Sequence, residues 1–122
     1  MKTVLYFILT IAVLSLSPLW AKDNSETMKK LKTIRLPKVE FWEVTFSEAI
    51  EILHIQARLH DPEEDPNKKG VNFILRNVQA DRPVTLSLTN VRLGSALHKL
   101  CKISGNSMKI DKFAVIFNRA QE

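Results

Sequence analysis

His54, His60 and His98 are the three histidines of this sequence, the residue type most used for acid-base and metal chemistry. They stand 6 and 38 residues apart with no serine or carboxylate in register, so neither a nucleophile-base pair nor a metal-ligand spacing emerges. His54 falls on the polar side of a predicted helix and reads as solvated. Asp61, Glu63 and Asp65 alternate like the opening of a calcium loop, but such a loop requires glycine where Pro66 stands and a bidentate glutamate that is missing. Cys101 lies on an apolar helix face and reads as a small buried hydrophobe. Gly70, Gly94 and Gly105 are too far apart to cradle a phosphate. The reading is a non-enzyme with no catalytic, cofactor or metal residue assigned.

The chain carrying these residues has 122 positions, 45% of them apolar and 25% charged, which excludes both a disordered tract and a multidomain enzyme. Met1-Lys2, a charge-free run from Thr3 to Ser17, and Pro18-Leu19-Trp20-Ala21 before Lys22-Asp23 form a secretory signal peptide over residues 1–21. The alternative is an uncleaved anchor in the inner membrane, with membrane contact confined to that case. A span needs about 20 apolar residues, and Pro18 interrupts the run first. No cysteine follows the apolar run, so a lipid-modified amino terminus is excluded. The expected location is exported, and periplasmic in a Gram-negative cell. Removing the leader leaves 101 residues with net charge +4, since Lys2 alone is lost from the +5 total. With the single Cys101 no intramolecular disulfide forms, and the fold rests on its apolar core.

Residues 22–30 read as a flexible lead-in, 31–118 as the domain and 119–122 as a tail. Ile34 to Phe41 alternates, re-phased around Pro37, as a bent or edge strand. Thr45 with Glu48 three residues on is a capping box. Phe46, Ala49, Ile50, Leu53 and Ala57 then share one face of a helix that ends near His60. A charged loop runs to Gly70, followed by strands at Val71 to Leu75 and Val84 to Leu88. A second helix spans about Leu93 to Ile103, burying Leu93, Ala96, Leu97, Leu100 and Cys101 and stopped by Gly105. Met108 to Ile110 and Phe113 to Phe117 close the chain as a hairpin-like pair.

Val44 to Leu53 aligns without gaps on Val91 to Leu100 at an offset of 47. Each helix is preceded by a strand and followed by a glycine-started one, Gly70-Val-Asn-Phe and Gly105-Asn-Ser-Met. A βαβ unit used twice predicts an α+β fold, a small βαββαββ two-layer sandwich with both helices packed on one face of small β-sheet.

With Phe46-Ser-Glu-Ala49-Ile50, Leu93-Gly-Ser-Ala96-Leu97, the strand Val84 to Leu88 and the terminal pair Ser107 to Phe117 in view, the chain resembles the short secretin and TonB N-terminus domain. The likeness covers about Leu31 to Phe117. It implies an exported, non-catalytic module that docks protein partners at the periplasmic end of outer-membrane secretins or TonB-dependent receptors. The envelope partner expected from it is a secretin, a TonB-like protein or an anti-sigma-type regulator. The sequence shows no pore, plug or barrel after Glu122, so a free-standing adaptor, a competitor for a docking site and a fragment of a longer protein all stay open.

The partner-binding candidates are Ile52, Ile55 and Leu59, nearly opposite the core stripe of the first helix, and Val71 and Phe73 on a candidate edge strand. The second helix carries Ser95, Lys99 and Lys102 in the sector of that extra stripe. Either Leu31, Ile34 or the lead-in folds across the stripe, or a partner or second copy covers it. Two other classes compete with docking. A basic βαββαβ nucleic-acid binder fits the charge, but Phe113-Ala-Val-Ile-Phe117 lacks the stacking signature and export argues for no nucleic acid. An uncharacterised small enzyme has no visible catalytic constellation.

Overall fold

The computed structural model describes residues 25–80 and 82–120, so the signal-peptide reading lies outside the described residues. Among the described residues, three α-helices and five strands follow in the order α1 (Glu26–Thr33), β1 (Arg35–Val44), α2 (Phe46–His60), β2 (Phe73–Leu75), β3 (Val84–Arg92), α3 (Leu93–Ser104), β4 (Asn106–Ile110) and β5 (Val115–Arg119), with one 3-10 turn, Pro66–Lys68, between α2 and β2. β1 and β3 form an antiparallel pair, and β5 lies between parallel β2 and antiparallel β4. The fold is α+β, and α2 and α3 each contact strands of both sheets.

Local chemistry sets these boundaries. The Thr45 hydroxyl accepts from the Glu48 N–H at 3.2 Å while the Glu48 carboxylate accepts from the Thr45 N–H, closing the capping box that starts α2. α3 ends at Gly105, whose φ of +77° a side chain would oppose, and Gly70 before β2 repeats that conformation at +86°. The buried faces of α2 and α3 contain every apolar residue expected there, with Ser104 added to α3. In β1, Leu36, Val39 and Phe41 are buried, so the inward face re-phases across Pro37. Pro37 falls between the pairs Leu36↔Val91 and Lys38↔Thr89.

The pairing registers carry the internal repeat into three dimensions. The 47-residue offset maps Val39↔Leu88 onto Phe41↔Leu86 and leaves Glu40↔Ser87 on a pseudo-two-fold axis. Matching Gly70 to Gly105 maps Phe73 and Leu75 of β2 onto Met108 and Ile110 of β4. Across β5, Phe73 then stands opposite Ile110 and Leu75 opposite Met108, again an interchange of equivalent positions. Two registers on separate sheets thus obey one symmetry, broken by β5, which belongs to neither copy, and by the long loop of the first copy.

Three expectations are corrected. The described part of the lead-in is folded into α1. Ser25 caps α1 by accepting from the Met28 N–H, and Thr27 and Leu31 are buried one turn apart. β3 continues to Arg92 because β1 supplies partners as far as Arg35. β5 begins at Val115, since Asp111 to Ala114 is a turn closed by a 2.8 Å bond from the Asp111 N–H to the Ala114 carbonyl, leaving Phe113 exposed.

α1 packs on α3 and β3. Its approach requires Gly94, where an added Cβ would sit 3.2 Å from the Leu31 carbonyl oxygen and 3.3 Å from its Cβ. Gly94→Ala is therefore expected to destabilise by about 1–2 kcal/mol despite the better helix propensity of alanine. Urea denaturation beside Ser95→Ala measures it, and a Gly94→Ala midpoint equal to wild type would refute the close contact.

Candidate docking surface

α2 presents two faces. Phe46, Leu53 and Ala57 are fully buried in the core, whereas Ile52, Ile55 and Leu59 are 40%, 54% and 68% exposed. Leu31 and Ile34 do not cover them: Leu31 lies against Gly94, and the Ile34 carbonyl accepts from the Leu93 N–H at 2.9 Å. Both residues are spent at the start of α3. Among the described residues, the outer face of α2 has three large aliphatic side chains open to solvent. The corresponding sector of α3 holds exposed Ser95, Lys99 and Lys102, so the symmetry of the fold does not demand an apolar face there.

Strand edges flank this helix. Val39, Phe41, Ile52, Leu53 and Gln56 line a cleft of about 220 Å³ between β1 and α2. On the other side, Ile50, Glu51, His54, Phe73 and Leu75 line one of about 320 Å³ between α2 and β2. β2 is an outer strand of its sheet. Val71 precedes that strand and is 5% exposed, so its side chain is unavailable to a partner and belongs to the core. Phe73 is half-buried, edge-on to Phe117 at 5.7 Å and to His54 at 5.9 Å. That contact also corrects the reading of His54 as a solvated side chain: it is half-buried. Trp42, which the sequence pattern does not single out, is 77% exposed at the bulge that breaks the β1 register between Phe41 and Val44.

The groups weighed for chemistry have structural work. The Asp61, Glu63 and Asp65 carboxylates each accept the backbone N–H two residues on, at 2.9, 3.3 and 3.0 Å, so the calcium-like alternation is a chain of turns. Asp61 is buried and also accepts from the Gly70 N–H at 2.7 Å and from Lys30 Nζ at 2.5 Å. Burial alone would raise its pKa; the hydrogen bonds from Lys30 and from the Glu63 and Gly70 amides, with the Lys30 charge, outweigh this and hold the carboxyl below its usual range. Lys30 also donates to the Lys68 carbonyl and Lys69 to the Asp61 carbonyl. Two of the four lysines lining the nearby cleft of about 450 Å³ are therefore committed within the fold.

Burial pushes the Cys101 thiol up to about 12, which keeps it protonated and unreactive at neutral pH. Among the described residues, no group of three or more histidine, cysteine and acidic side chains is placed to hold a metal, and no helix is long and apolar enough to cross a membrane. Comparison with protein-family models, with curated proteins and with solved structures finds no match to this chain.

Proposed function

We propose that the chain is a non-catalytic protein-docking module of the cell envelope, of the short secretin and TonB N-terminus kind, which engages its partner through the outer face of α2. The observation that carries this reading is the exposure of Ile52, Ile55 and Leu59 on a helix whose pseudo-symmetric counterpart is polar at the same sector. The order strand, helix, glycine-started strand, strand, helix and closing pair from β1 to β5, which the family resemblance implies, supports the reading. So does the leader that the sequence predicts. The free edge of β2 beside the same helix offers main-chain hydrogen bonds to an added strand, with Phe73 at its start.

The test is affinity capture from an envelope extract, with the Ile52→Asp/Ile55→Asp variant as its control. Both positions are exposed, so the variant is expected to melt within about 0.5 kcal/mol per substitution of wild type. A secretin, a TonB-like protein or an anti-sigma-type regulator recovered by wild type and lost by the variant is the expected result. Recovery by both would move the contact to the β2 edge. Recovery by neither, with a wild-type dimer in sedimentation that the variant abolishes, would replace the envelope partner by a second copy.

A further inference from the structure

The pseudo-two-fold gives the three-stranded sheet two equivalent clefts, each between a helix and the outer strand that follows it. The second lies between α3 and β4, has a volume of about 510 Å³, and is lined by His98, Cys101, Lys102, Asn106 and Met108 among others. Its chemistry differs from the first at matched positions. His98 stands where the α2 cleft has Glu51, and Lys102 where α2 has Ile55. The asymmetry extends over the whole second unit: residues 82–120 contain seven lysines and arginines and one carboxylate, Asp111. Residues 35–80 contain six basic and eight acidic side chains.

The main chain of β4 is set for pairing. The Asp111 N–H donates to Ala114 and the Ala120 N–H to Gly105, so the ladder with β5 uses the odd-numbered residues of β4. The N–H and C=O groups of Met108 and Ile110 consequently point to the free edge. Lys99 and Lys102 are exposed on α3, and Lys109, between the core-packed Met108 and Ile110, is exposed on the opposite face of the sheet.

We infer that the β4 edge and the α3 face form a second docking site, which takes an extended acidic peptide segment as an added strand, its backbone on Met108 and Ile110 and its carboxylates toward His98 and Lys102. The site stands whether or not the outer face of α2 docks a partner. An extended peptide suits it better than nucleic acid because the open groups repeat every second residue along a strand, and no exposed aromatic side chain lines the cleft for a base to stack on.

The test titrates isotope-labelled chain with a capped Glu-Val-Glu-Val-Glu peptide, its Lys-Val-Lys-Val-Lys counterpart and a ten-nucleotide oligo-dT, following backbone amides by NMR. Saturable binding of the acidic peptide, with the largest shifts at Met108 and Ile110 and loss of affinity in high salt, is expected. His98→Glu/Lys102→Glu, at two exposed positions, should weaken it by at least ~10-fold. Met108→Pro should abolish it while keeping the fold, because the N–H it removes is not used by β5. Shifts centred on Phe73 to Leu75, equal affinity for the lysine peptide, displacement by the oligonucleotide, or no saturation would each overturn the assignment.

Discussion

Phe117→Ala is expected to be the most damaging single truncation in the chain. Phe117 is fully buried on β5, the strand that both β2 and β4 pair with, and its ring meets Phe46 of α2 edge-on at 5.5 Å and Phe73 of β2 at 5.7 Å. Removing it leaves a cavity where α2 meets the three-stranded sheet, and truncations of this kind cost about 3–5 kcal/mol. A domain of this size has on the order of 5–10 kcal/mol in total, so the melting temperature should fall by roughly 15–25 °C. Phe113→Ala, four residues earlier and 72% exposed, supplies the contrast and should change stability by less than about 0.5 kcal/mol. Thermal and urea denaturation of the two variants measure this directly. Equal effects would mean that the hairpin is placed in the wrong register, with Phe113 inside.

That contrast shows where the sequence was legible. The helices were readable because their stability is written in their own residues: a 3.6-residue stripe, a capping box at Thr45 and a left-handed stop at Gly105. α1 was not, because two of its residues are buried and it is held from outside, by Thr27 Oγ1 donating to the Lys112 carbonyl at 2.9 Å and by Lys30 on Asp61. Periodicity cannot register a helix held by partners 31 and 85 residues away. The last residues of β3, Thr89-Asn90-Val91-Arg92, are mostly polar and belong to a strand because β1 runs beside them. Phe113 and Phe117 shared one apolar run, and the turn at Asp111 to Ala114 decided which of them went inside. For the candidate surface, the pattern located the outer stripe of α2, but its exposure depended on where Leu31 and Ile34 went, a tertiary fact. The burial of Val71 and the exposure of Trp42 were hidden for the same reason.

Asp61→Asn is expected to release α1 from the domain and to remove part of the acid sensitivity of the fold. The Asp61 side chain is 3% exposed and Lys30 14%, and together they join α1 to the loop between α2 and β2. The Glu63 and Gly70 amides bond different carboxylate oxygens, so asparagine accepts from only one of them, sets an NH2 donor against the other, and leaves the Lys30 ammonium without its counter-charge. Breaking such a pair from one side costs about 3 kcal/mol. Because the Asp61 carboxyl titrates below its ordinary value when folded, the unfolded chain takes up its proton first as the pH falls. Its contribution is complete above the unfolded value near 3.8 and disappears as pH drops through the folded one. Wild-type stability should therefore decline as pH falls below about 5 more steeply than that of Asp61→Asn, and the two curves should converge in acid. Lys30→Met separates the two roles. It keeps the carboxylate on its two amides but removes the cation, which brings the folded pKa up toward the unfolded value, so the fold should survive at neutral pH with a smaller acid decline than wild type. Urea midpoints between pH 7 and pH 2.5, with hydrogen exchange of the α1 amides, read both effects. Parallel pH curves for wild type and Asp61→Asn would show that Lys30 does not hold the carboxylate, and that α1 is fixed by Thr27, Leu31 and Gly94 alone.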